Sequence, residues 1–200
     1  KHASNVTGCA IAIEELFEEG GAPKGLFRTL RIGSDAVEAV LENDLVRAAT
    51  LTGSVPAGSA VAATAGRLLK KTVLELGGSD PYVVLADADI EAAAKTCATS
   101  RLINSGQSCI AAKRFVVVDE VHDAFVEAFV AEMEHVVVGD PMDEETDVGP
   151  QAQVGLRDEL HAQVEKSIGQ GAKLLLGGQK PTGPGAFYPP TVLTDVTTDM

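Results

Sequence analysis

Tryptophan is absent from this 200-residue chain, and aromatic residues make up only 4% of it. Hydrophobic residues still reach 45%, enough apolar surface for a core, which should therefore be built mainly from Val, Leu, Ile and Ala. Positive charge is also scarce: 16 Lys and Arg stand against 29 Asp and Glu, a formal net charge of −13. An acidic surface repels phosphate backbones and anionic headgroups, so neither nucleic acid nor a membrane is expected as a partner. The acidic residues fall in short clusters such as Asp143-Glu144-Glu145, the pattern of a solvated surface rather than a tail. No apolar run approaches the length that spans a bilayer, and the first residues lack a signal-peptide pattern.

Cysteine is sparse and odd in number. Cys9, Cys97 and Cys109 have neither disulfide nor metal spacing, which fits a reducing, cytoplasmic compartment. Cys9, beside Ala10 and Ile11 in a helical pattern, and Cys97, in an alanine-rich helix, read as packing residues. His2, His122, His135 and His161 form no i,i+4 pair and have no cysteine companion, so no metal site is expected. The chain begins at Lys1 rather than Met and reads as a piece of a longer protein.

Helix-period segments alternate with short β-rich runs, which argues for an α/β fold with parallel strands. Residues 7–19 read as a helix stopped by Gly20-Gly21, residues 26–32 as a strand closed by Gly33, and Ser34 as the cap of a short helix reaching Glu42. A strand is expected over 45–51. A helix follows with Pro56 in its first turn and Val61, Ala62, Ala65, Leu68 and Leu69 on one face, and then a strand over 72–76. The pattern restarts after Gly77-Gly78, the best domain boundary, separating residues 1–76 from 77–200. Beyond it come a strand (82–85), a helix (89–103) and a strand (114–118). Val121, Phe125, Phe129 and Met133 mark one further helix, and Leu156, Leu160, Val164 and Ile168 another. A strand over 174–176 and a Gly/Pro-rich loop over 177–185 complete the pattern.

Two segments carry chemistry. Gly106-Gln107-Ser108-Cys109 places a thiol in a polar, glycine-relaxed turn where the backbone can approach a ligand closely. Leu74-Glu75-Leu76-Gly77-Gly78 places a carboxylate at the end of an apolar strand. A thiol nucleophile and a base suffice to form a thioester and hydrolyse it. Each alone has an ordinary reading, a packed cysteine and a solvated strand-end glutamate. Between strand and helix, Thr50 to Gly58 forms a third candidate. Gly53 clears space near the helix amides and Ser54 adds a hydroxyl, as a phosphate seat requires. Ser59 stands where a P-loop needs lysine, and no G-x-G-x-x-G fingerprint is present.

Together these segments resemble the aldehyde dehydrogenase superfamily over essentially the whole chain. LELGG is similar to the segment carrying that family's general base, here Glu75, and GQ-x-C to its nucleophile segment, here Cys109. The resemblance implies a Rossmann-like parallel sheet with helices, the C-terminal part of a cofactor domain (1–76), joined to the first part of an α/β catalytic domain (77–200). It implies NADP or NAD as cofactor, with Gly53, Ser54 and Leu76 near it and Gly33 on the adenosine side. Lys1-His2-Ala3-Ser4 resembles a K-P-x-E or K-P-x-S stretch in which Lys1 reaches the ribose. Ser4, where many NAD-preferring members have Glu, removes a carboxylate that would repel a 2′-phosphate. The resemblance further implies a small-molecule aldehyde substrate and a homo-oligomer for the full-length protein.

Among branches of the family the chain looks most like the succinate-semialdehyde group, through Asp80-Pro81, the Ala111-Ala112-Lys113-Arg114 run and residues 160–166. Many such enzymes carry Arg six residues before the nucleophile, where this chain has Ile103. The family's oxyanion-hole Asn would lie before Lys1, and its E-x-F-G-P segment beyond Met200, so the 200 residues alone are expected to show little or no dehydrogenase activity. Two other functions compete: a truncated, non-catalytic nucleotide-binding module, and a thiol acyl carrier that forms thioesters without oxidation. Retention of both Cys109 and Glu75 favours the enzyme.

Overall fold

A computed structural model describes residues 1–200, which divide into two compact units, Lys1–Gly77 and Gly78–Met200. The first opens with helix α1 (Thr7–Glu19). It stops at Gly20, where Gly21 (φ 82°) reverses the chain and the Ala22 N–H donates to the Phe17 carbonyl. Cys9 is exposed on α1, so the packing role expected of it is not found. Residues 26–32 form no strand either. A strand needs a ladder neighbour, and this segment bonds to α1 instead. The Glu14 carboxylate accepts from the Thr29 N–H at 2.7 Å, the Thr29 hydroxyl donates to the Ala10 carbonyl at 2.8 Å, and Phe27 stacks on Phe17. The Thr29 amide above all, with Arg28 beside it, holds the Glu14 carboxyl below its usual range.

A 3-10 turn (Ser34–Ala36) leads into α2 (Val37–Glu42). Gly33 takes the cap position expected of Ser34, and no side chain caps the turn. Strand β1 (Ala48–Gly53) begins three residues later than its pattern predicts. Helix α3 (Val55–Arg67) then crosses to β2 (Lys71–Leu76), which pairs with β1 in parallel from Ala48↔Lys71 to Gly53↔Leu76. Ser54 caps α3 by accepting from the Ala57 N–H at 3.4 Å, and Pro56 sits in the first turn, where no N–H is needed. A Cβ on buried Gly58 would come within 2.6 Å of the Leu76 side chain, so glycine there lets helix and strand close together. Leu69 falls off the expected apolar face. The helix has already ended, and Leu69 takes φ 54° and is 94% exposed as the chain turns towards β2.

The second unit begins with β3 (Pro81–Val84), α4 (Ile90–Leu102) and β4 (Arg114–Val117), with β3 and β4 parallel. Asp89 caps α4 by accepting from the Ala92 N–H at 3.1 Å. Then come α5 (His122–Glu134), α6 (Val154–Gly169) and β5 (Lys173–Leu176), which pairs antiparallel with β6 (Val192–Thr194). Strand β6 is too short to read from sequence. The whole is mixed α/β with small parallel sheets, and no helix is long and apolar enough to cross a membrane.

This unit's core is largely aliphatic, as the composition predicts, but aromatic rings stand at its centre. Three of the six phenylalanines gather there. The Phe129 ring lies 4.8 Å from Phe115 and 5.6 Å from Phe125, against the small Ala94, Cys97 and Ala98 of α4. Alanines on α4 make room for the rings, so a few aromatics sit at the centre of the aliphatic core expected. Cys97 packs here as its pattern predicts, and burial pushes its thiol pKa up. The α6 stripe is buried only at Val164, with Leu156 and Ile168 exposed. Phe129→Ala is expected to destabilise the protein by about 3–5 kcal/mol in urea denaturation, through lost transfer energy and a cavity. A loss below about 1 kcal/mol would place the core elsewhere.

Candidate active site

Parallel pairing of β1 and β2 brings four of the expected residues to one sheet end. Thr52 stands opposite Glu75, and Gly53 opposite Leu76. Ser54 follows Gly53 directly and starts α3. A Cβ at Gly53 would meet only the Leu51 side chain, no nearer than 3.7 Å, so the backbone stays approachable there. Leu76 is instead committed to packing over Gly58. Glu75 is exposed and has no hydrogen-bond or ionic partner of its own. Gly33 is exposed and extended (φ −72°, ψ 175°), while Lys1 and Ser4 are exposed near the N-terminus with no bond to the β1–β2 end. Alternating strand-helix-strand order accounts for the four clustered residues, and nothing local does the same for Lys1, Ser4 and Gly33.

Cys109 is exposed in a turn after α4 that is built from unusual backbone. Asn104 (φ 51°), Ser105 (φ 56°) and Gly106 (φ 76°) are successively left-handed, a conformation that side chains resist and that persists only where neighbours hold it. Several bonds hold it here. The Gly149 N–H donates to Ser105 Oγ at 3.1 Å, and the Ala152 N–H to Gln107 Oε1 at 2.8 Å. Lys113 Nζ donates to the Ala111 carbonyl at 3.0 Å and to that of Cys109 at 3.3 Å. Arg101 donates from Nη2 to the Gly106 carbonyl at 2.6 Å and from Nη1 to the Ala112 carbonyl at 2.9 Å. The Cys109 N–H finds no acceptor within the chain.

The space above Gly106 is taken by the Arg101 guanidinium, which a Cβ there would strike. Glycine thus serves the turn's φ and the arginine, rather than the close ligand approach expected of it. Arg101 and the Ser105 and Gln107 straps escaped the sequence reading. A basic residue in a helix's last turn is ordinary, and the partners of Ser105 and Gln107 lie more than forty residues away. No group of three or more His, Cys, Asp or Glu gathers anywhere as a metal site would require.

The first unit thus offers a parallel β-α-β arrangement with a capped helix start, and the second an exposed cysteine on a left-handed turn. The chain belongs to the aldehyde dehydrogenase family, whose pattern it matches over residues 1–200. Over those 200 residues it is 54% identical to the succinate-semialdehyde dehydrogenase (NADP(+)) of Mycolicibacterium paratuberculosis, covering all of this chain and 42% of that protein. It is 52% identical over the same length to the succinate semialdehyde dehydrogenase (NAD(P)+) Sad of Escherichia coli K12, and covers 43% of it. The fold matches the crystal structure of succinic semialdehyde dehydrogenase from Streptococcus pyogenes in complex with NADP+ at a TM-score of 0.95 and 38% identity. That match covers 99% of this chain and 44% of the other. The chain therefore spans less than half the length of these relatives.

Proposed function

We propose that this chain serves an NAD(P)+-dependent oxidation of an aldehyde, succinic semialdehyde or a related short aldehyde, to the carboxylic acid through a thioester on Cys109. The observation that carries the reading is the Cys109 turn: an exposed thiol beside its own unpaired N–H, on backbone held in a rarely populated conformation by bonds from both sides. On this reading residues 1–76 are the C-terminal part of a Rossmann-like cofactor domain, and residues 77–200 the first part of the catalytic domain.

The residues present fit the cofactor. The start of α3 offers amides with a positive partial charge beside Gly53, where no side chain blocks approach, and this suits a pyrophosphate. Gly53 and Ser54 would hold it there, with Leu76 packed beside them, Gly33 along the adenosine and Lys1 on the ribose. The bound cofactor supplies a hydride acceptor, its oxidised nicotinamide ring. Cys109 Sγ, as thiolate, bonds to the aldehyde carbon, and the Cys109 N–H stabilises the oxygen that takes up the electron pair. Loss of the hydride from that carbon leaves a thioester on Cys109. Glu75 then takes a proton from water, whose oxygen attacks the thioester carbonyl and releases the acid and the thiolate.

Ile103, 40% exposed at the end of α4, offers no charge to a substrate carboxylate. A basic residue elsewhere in the full-length protein would have to hold succinic semialdehyde, or the substrate is a less polar short aldehyde. The direct test is to assay the full-length protein with succinic semialdehyde and uncharged short aldehydes, using NADP+ and NAD+. Reduced cofactor and acid should form in equal amounts, and failure with every pair would contradict the reading.

Ser4 bears on cofactor choice. Ser4→Glu should weaken NADP+ binding relative to NAD+ by about ten- to a hundredfold, because it sets a carboxylate beside the 2′-phosphate. Cofactor titration of the full-length variant measures this, and an unchanged ratio would show that Ser4 does not face the ribose.

A further inference from the structure

Arg101 sits half-buried in the last turn of α4 and forms no ion pair. Burying a cation without a counter-charge is unfavourable, and burial draws the Arg101 pKa down from its usual value. What the guanidinium does instead is specific. Its two bonds go to main-chain carbonyls, Gly106 and Ala112, which stand immediately before and after residues 107–111. Cys109 is the middle residue of that stretch. A planar fork with fixed donor directions holds two carbonyls at a set separation, which a flexible ammonium cannot do. The turn is also shaped around this contact, since a Cβ on Gly106 would displace the guanidinium. Lys113, with its exposed ammonium on the carbonyls of Cys109 and Ala111, adds an adaptable brace to the rigid one.

We propose that Arg101 is a positioning residue for the Cys109 thiol, its guanidinium fork fixing both ends of residues 107–111 so that the thiol is held where it can attack. The proposal rests on the reading of Cys109 as nucleophile. It assigns to Arg101 no contact with substrate or cofactor. Loss of the fork should therefore lower the rate of the chemical step while leaving the affinities of both ligands nearly unchanged.

The test uses the full-length protein carrying Arg101→Met, Arg101→Lys, Gly106→Ala or Cys109→Ala, each checked for folding by circular dichroism and thermal midpoint. For Arg101→Met, kcat should fall by about a hundredfold, the scale of a small misplacement of a reacting group. KM for the aldehyde and for NADP+ should stay nearly constant. Arg101→Lys, able to reach one carbonyl, should recover part of the loss. Gly106→Ala, which drives the guanidinium out, should reproduce the Met variant's split between kcat and KM. If Arg101→Met fails to fold, the Lys and Ala variants decide. An unchanged kcat in a folded Arg101→Met or Gly106→Ala variant overturns the proposal, as does a loss confined to KM. Turnover surviving in Cys109→Ala would defeat the nucleophile reading itself. An inactive Cys109→Ala beside a fully active Arg101→Met would defeat the positioning role alone.

Discussion

Cys109→Ala in the full-length protein is expected to abolish aldehyde oxidation, a fall of roughly 10⁴-fold or more, because the covalent route closes when its nucleophile is removed. Neither remaining cysteine in this chain can substitute. Cys97 is buried between α4 and the phenylalanines of the core, where its thiol pKa is pushed up and no aldehyde can reach it. Cys9 is exposed, but it lies on α1 of the other unit, on ordinary helix with no turn built around it. Cofactor binding should survive the substitution, since the β1–α3–β2 end contains no part of the turn. Steady-state rates with titrated NADP+ affinity measure both effects. Parent-like turnover would remove the mechanism outright.

Glu75→Gln is expected to separate the two halves of the reaction. Cys109 can still form the thioester, so the first equivalent of reduced cofactor should appear at close to the parent rate. Hydrolysis then lacks its base, and steady turnover should fall by about 10²–10⁴-fold, the usual contribution of general base catalysis. The amide keeps the size of the side chain, and Glu75 is exposed at the end of β2, so stability should change little. Stopped-flow absorbance of the reduced nicotinamide shows the result as a burst near one equivalent followed by a slow phase. Equal loss in burst and steady state would mean that Glu75 acts before the thioester forms.

Where a segment's own residues decide its conformation, the sequence was legible. Helix α1 runs over the predicted residues, and the repeat from Val121 to Met133 buries Phe125, Phe129 and Met133 as expected. Ser54 and Pro56 announce the start of α3 by chemistry confined to one turn. Elements decided by distant partners were harder to see. Residues 26–32 have strand composition, yet α1 supplied their hydrogen bonds and no ladder formed. The core is mostly aliphatic as its composition predicts, but the place of its aromatic centre depends on which elements face one another and is not set by composition.

The candidate site divides along the same line. Cys109 and Glu75 could be picked out from short motifs, and Gly53 and Ser54 from a strand-to-helix turn. Arg101 could not, because its role exists only once the chain has folded the carbonyls of Gly106 and Ala112 towards it. Left-handed Asn104 carries a faint signal, since Asn tolerates that conformation better than most residues. Nothing in Ser105 announces it.

Whether substrate carbon becomes bonded to Cys109 can be read by a single measurement. The full-length Glu75→Gln protein is mixed with aldehyde and NADP+, quenched in acid during the slow phase, digested and mapped by peptide mass spectrometry. One acyl group per chain is expected on the peptide containing Cys109, with those of Cys9 and Cys97 unmodified. An acyl group on another residue, or reduced cofactor formed with no acyl group on any cysteine, would contradict it.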